Sequence, residues 1–137
     1  MRPLFSQIMV LTIGLSLAAI GARAERSPIY PFNVSLGGQE AVHDGEAASI
    51  FAAIANPVAA DATFEVDTAP GMIIINAFPI DAAGSPILGK PTKIIMVQDG
   101  TSGSLADTMD KSPFEPGTYG MNVVADGKTS RVKFTIK

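Results

Sequence analysis

Hydrophobic and polar positions alternate along most of this chain with a period of two, the repeat of a strand that buries one face. Tyr30, Phe32, Val34 and Leu36 alternate with Pro31, Asn33, Ser35 and Gly37, and Gly37-Gly38 ends the run. Proline cannot donate a hydrogen bond to a ladder, so Pro31 predicts that this strand lies at a sheet edge. Phe64 and Val66 share one face of a strand over 63–67. Residues 72–80 are apolar on both faces, Ile73, Ile75 and Ala77 against Met72, Ile74 and Phe78. That pattern predicts a central strand covered on both sides. Asp81-Ala82-Ala83-Gly84 reads as a turn, 85–88 as a short return, 92–97 as a β-branched strand and 99–103 as a Gly/Ser turn. Residues 105–115 keep no period and read as a surface loop.

One stretch satisfies two patterns. Ala47, Ile50, Phe51 and Ile54 form a helical stripe, with Asp44 as a possible N-cap and Asn56-Pro57 as a stop. Ala48, Ile50, Ala52 and Ile54 alternate as a strand would. Alanine content favours helix; the all-β surroundings favour strand, and strand is the expectation here, with one short helix as the alternative.

The C-terminal hairpin is the firmest local feature. Asp126-Gly127 suits the two positive-φ positions of a type I′ turn. With those residues as the loop, Ala125 faces Lys128, Met121 faces Val132 and Tyr119 faces Phe134, all on one face with Val123 and Ile136. Asn122 then faces Arg131, and Gly120 faces Lys133, on the other. Turn chemistry and side-chain pattern choose the same register independently.

About seven short strands, with turns every 8–12 residues, predict an antiparallel β-sandwich. Pro116-Gly117-Thr118-Tyr119, the alternating strand after it, Asp126-Gly127-Lys128-Thr129 and Val132 to Ile136 resemble the closing hairpin of bacterial immunoglobulin-like domains. Ile80 to Ile87 resembles an inter-strand turn of such modules. The resemblance covers roughly the last 60 residues by this hairpin and turn. It implies an immunoglobulin-like fold, with Tyr119 where many of these domains carry a corner tyrosine. The Cys-Trp-Cys core of antibody-type domains is absent. The fold hosts many unrelated functions and implies no activity.

The N-terminus changes the picture. Arg2, an apolar run from Ile8 to Ala22, and small residues at Ala22-Arg23-Ala24 have the form of a secretory signal peptide. The run is about 15 residues, short of the roughly 20 that span a bilayer. Residues 1–24 are therefore expected to be removed, leaving 25–137 as a single domain without a stable membrane anchor. The expected location is the bacterial periplasm or beyond.

Composition then narrows the chemistry. The chain has no cysteine, which excludes disulfides, thiol nucleophiles and Cys-type zinc sites. Its net charge is −3, and loss of Arg2 and Arg23 makes it more acidic still, which does not suit nucleic-acid binding. His43 is the only histidine. With Glu40, Asp44 and Glu46 it forms the most site-like string, and a metal or small-ligand carrier built on it is the alternative function. One histidine without cysteine cannot make the usual transition-metal sets, and no calcium loop is present. No serine lies in a Gly-x-Ser-x-Gly elbow. Asp107 and Asp110 read as loop charges rather than a catalytic pair. Met72, Met96, Met109 and Met121 read mainly as core filler.

These observations predict a non-catalytic protein without cofactor. Its expected work is to bind another periplasmic or cell-surface protein, in a chaperone-like manner. The candidate partner-binding residues are Arg131, Lys133 and Lys137, which alternate outward along the last strand and could select an acidic polypeptide. The expected mode is strand addition at an open sheet edge.

Overall fold

A computed structural model describes residues 29–137; the expected signal peptide lies outside the described residues. The described residues contain no helix. They form nine strands: β1 Val34–Leu36, β2 Gln39–Glu40, β3 Ala52–Ala53, β4 Thr63–Val66, β5 Gly71–Pro79, β6 Lys93–Gly100, β7 Ser102–Ser104, β8 Gly117–Ala125 and β9 Lys128–Ile136. One sheet has the order β2-β1-β4-β7 and the other β3-β9-β8-β5-β6. Every pairing is antiparallel except that of β3 with β9.

Alternation builds the core. Val34, Leu36, Phe64 and Val66 from the four-stranded sheet meet Ile73, Ile75, Ala77, Met121, Val123, Val132 and Phe134 from the five-stranded sheet in one buried cluster. Two sheets sharing a core make the molecule all-β and compatible with a β-sandwich. The hairpin holds the expected register at every position named above, from Ala125 opposite Lys128 to Tyr119 opposite Phe134. Asp126 and Gly127 have φ of 52° and 72°, as a type I′ turn requires.

Five expectations change. Tyr30, Phe32, Val34 and Leu36 are all buried, but only the last three residues of that run form a strand, and β1 lies inside its sheet between β2 and β4. The segment before it crosses between sheets. Arg131 N donates to Ile29 O (3.0 Å), and the Ser130 hydroxyl accepts from Phe32 N and donates to Phe32 O. The Tyr30 hydroxyl accepts from Val34 N (2.8 Å) and donates to Ala41 O (2.9 Å). Pro31 thus sits in the crossing, where no ladder donor is needed.

Residues 44–56 form neither a helix nor a full strand. Val42 and Ala53 exchange both backbone hydrogen bonds, so the chain between them loops out. Ala52 and Ile54 are buried, and Ile50 is exposed. Residues 99–103 carry the chain from one sheet to the other: β6 runs to Gly100, Thr101 O accepts from Val66 N, and β7 follows at once. Strand β5 does lie between β6 and β8, yet its Met72 face is uncovered. The strand count rises because β1, β2, β3 and β7 are only two or three residues long.

Candidate interaction surface

Arg131 and Lys133 stand where the sequence places them, side by side and exposed on the outer face of β9, opposite Asn122 and Gly120. Lys137 is exposed just past the end of β9, its backbone N–H held by Val58 O (3.0 Å). Among the described residues the one ion pair is Lys93–Asp110, so Arg131 and Lys133 carry no carboxylate partner there.

The edge beside these cations is closed. Ile29 O accepts from Arg131 N, Ile54 N donates to Lys133 O, and Val58 N donates to Thr135 O. The chain has paired β9 with its own earlier segments, which removes the template for a foreign strand. At the opposite edge, Met109 N donates to Ile94 O (2.8 Å) and Thr108 bridges Ile95, covering the first half of β6. A register shift between Gly71 and Ile73 disturbs the second half.

What remains open is a face. Strand registers align its side chains in rows: Met96, Ile74, Val124 and Thr129; then Ile94, Asn76, Asn122 and Arg131; then Phe78, Gly120 and Lys133. Met72 lies beyond the first row, two residues before Ile74 on the same face of β5. Met72 is 54% exposed, Met96 44%, Ile94 40% and Val124 38%. These four apolar residues, with Ile74, are contiguous because cross-strand neighbours lie only about 5 Å apart. The rings of Phe51 and Phe78 lie over Gly120, so close that a β-carbon there would fall 2.7 Å from Phe51 Cζ and 3.1 Å from Phe78 Cε2. Asn122 Oδ1, in the middle row, is buried without a hydrogen-bond partner.

The sequence does not mark these apolar residues as a surface. Its pattern places Met72 and Met96 in the core, because an apolar outer face looks the same whether or not something covers it. Of the four methionines in the described residues only Met121 is buried; Met109 also is exposed.

The other candidates are committed elsewhere. His43 Nδ1 accepts from Gly45 N (3.0 Å), which places the proton on Nε2, and Nε2 donates to Ser49 O (2.8 Å). Asp44 accepts from the Ser49 hydroxyl and from Glu46 N; the Ser49 bond is the main cause that holds its carboxyl below the usual range. Glu40 lies in β2, opposite Ser35. Among the described residues no three such side chains converge as metal ligands. A cleft of about 310 Å³ opens beside Ile80, Ile87, Lys90 and Tyr119. Its inner polar groups are bonded already: the Tyr119 hydroxyl donates to Glu115 O (2.8 Å), and Lys93 Nζ contacts Asp110 and the Ser112 hydroxyl.

The Lys93 cluster fastens the 105–115 loop to β6 and makes its stability depend on pH. The Ser112 backbone N–H, then the Ser112 hydroxyl, hold the Asp110 carboxyl far below its ordinary value, with Lys93 adding a smaller push. A depressed folded pKa gives stability that is present above the unfolded value of about 3.9 and is lost as pH falls through the folded one. Wild type and Asp110→Asn should therefore differ in urea midpoint at neutral pH and converge below about pH 4. A gap that stays constant down to about pH 2 would refute this assignment.

Comparison of the chain with protein-family models, with curated proteins and with solved structures finds no match.

Proposed function

We propose that this chain is an exported, non-catalytic protein-binding module of immunoglobulin-like type, acting in a chaperone-like manner in the bacterial periplasm or at the cell surface. The observation that carries the binding reading is the contiguous apolar surface of Met72, Ile74, Ile94, Met96 and Val124 on the outer face of the five-stranded sheet. Such a surface exposed to water marks an interaction site, because leaving it uncovered forgoes about 25 cal/mol for each Å² that a partner would bury. Export rests on the pattern of residues 1–24. The immunoglobulin-like reading is supported by the order β1-β4-β7 against β9-β8-β5-β6, with β3 parallel to β9. It is supported too by Tyr119, which bonds back four residues to Glu115 near the start of β8, as a corner tyrosine does. The binding mode becomes face docking rather than strand addition at β9, whose edge is filled.

The test uses Ile74→Glu/Met96→Glu. Wild-type protein in excess is expected to slow the aggregation of reduced insulin, followed by light scattering. The variant is expected to lose most of that protection while melting cooperatively and keeping the wild-type circular-dichroism spectrum. Equal protection by a folded variant would rule the face out as the binding surface.

A further inference from the structure

We infer that the occupant of this face is an apolar polypeptide segment that carries acidic residues on the side lying over β9. The inference rests on the face being the binding surface and adds the chemistry and orientation of the partner. Three observations carry it.

Charge on the face is one-sided. The outward residues of β5, β6, β8 and β9 named in the rows above include two cations, Arg131 and Lys133, and no carboxylate. Both cations lie at the β9 flank, about three strand spacings, or roughly 14 Å, from the β6 flank. In a chain with 13 acidic and 10 basic residues, strand rows without a carboxylate are a segregation of charge. Glu40 and Glu65 both neighbour Ser35 on the other sheet, and Asp44 and Asp81, on loops outside the rows, line a cleft with Phe51 and Lys133. Asp99 and Asp126 lie at the strand ends beyond Met72, so a partner's carboxylates are steered toward Arg131 and Lys133 and away from the hairpin turn.

The middle row is polar. Asn76 and Asn122 separate Ile94 from Arg131; the Asn76 amide is exposed, whereas Asn122 Oδ1 is already buried. Lipid chains would bury the Asn76 amide without hydrogen bonds, which is unfavourable. A polypeptide can supply N–H and C=O groups to it. The row therefore favours a polypeptide over a membrane surface.

The edges exclude a simple extension of the sheet. With β9 closed by the chain itself and the first half of β6 covered, an occupant is left the face rather than an edge. A segment that crosses from β6 to β9 meets apolar side chains first, then amides, then cations.

Two synthetic peptides test this. Each has the same apolar half and the same central Ser-Asn pair; one ends in three glutamates, the other in three lysines. In fluorescence anisotropy at low salt the glutamate peptide is expected to bind the full mature protein at least ten-fold more tightly. Arg131→Glu/Lys133→Glu is expected to reverse that preference, and the gap should shrink toward 0.5 M salt, as screening requires. Equal binding of both peptides, lost in Ile74→Glu/Met96→Glu, would overturn the acidic partner and leave the apolar face standing. Binding indifferent to Ile74→Glu/Met96→Glu would overturn both. Tight binding to phosphatidylglycerol vesicles through the same residues, without discrimination between the peptides, would assign the face to lipid. Self-association of the free protein that Met96→Glu abolishes, seen by sedimentation, would assign it to a second copy.

Discussion

Replacing Phe134 by alanine is expected to remove about 3–5 kcal/mol of folding stability. Phe134 is almost wholly buried on β9, opposite Tyr119. Its ring stacks on Tyr119 at a centroid distance of 5.5 Å and 14° between planes. Phe114 meets it edge-on at 6.0 Å and meets Tyr119 edge-on at 5.0 Å. Truncation therefore removes one ring and loosens two others. The damage spreads, because Phe114 and Glu115 anchor the end of the 105–115 loop and Glu115 O holds the Tyr119 hydroxyl. A domain of this size is stable by about 5–15 kcal/mol, so the loss is a large fraction of the whole. In urea the unfolding midpoint should fall by about 2 M, given slopes of about 1–3 kcal/mol per molar for small proteins. A midpoint within about 0.3 M of wild type would show that this cluster does not carry the core.

The second large effect is expected at Gly103. The sequence pattern places this residue in a Gly/Ser turn, yet it lies in β7, opposite Phe64. A β-carbon there would fall 2.6 Å from Phe64 Cζ, 3.0 Å from Phe64 Cε2 and 3.1 Å from Val97 Cγ2. Phe64 is buried in the core between the sheets and has nowhere to swing. Gly103→Ala should thus cost about 1–3 kcal/mol, the usual range for overpacking. Gly120→Ala is the informative contrast. Its β-carbon would come as close, 2.7 Å from Phe51 Cζ, but Phe51 and Phe78 lie half-buried on the outer face and can move toward water. Thermal melts should rank Gly103→Ala well below Gly120→Ala, at about 4 °C per kcal/mol for a domain of this length. If the order is reversed, the rings over Gly120 are held more firmly than the core ring over Gly103.

Both sites show how far the sequence reaches. The buried face of almost every strand follows from alternation: Tyr30 to Leu36, Phe64 and Val66, Ile73 to Ala77 and the inner faces of β8 and β9 are all inward as their spacing predicts. The hairpin register follows from Asp126-Gly127, because a two-residue turn leaves no freedom to slip. Arg131 and Lys133 follow from the same parity. These are local signals, carried by neighbours in the chain.

Non-local contacts were invisible. Nothing near Pro31 says that Ile29 will bond to Arg131, or that β1 will be flanked on both sides. Nothing in Met72, Ile74, Ile94 and Met96 distinguishes a strand with two covered faces from one with a bare face. Only the arrangement of partners decides that, and here no element folds over them among the described residues.

The amino-acid order alone determined an all-β chain, which side of each strand faces inward, the register of the last hairpin and the outward pair of cations, because period and turn chemistry act over a few residues. Tertiary structure decided which edges are closed, how Gly103 and Gly120 serve as floors for aromatic rings, and that an apolar sheet face stays open beside Arg131 and Lys133. Those outcomes depend on contacts between segments far apart in the chain, whose free energies no local pattern records.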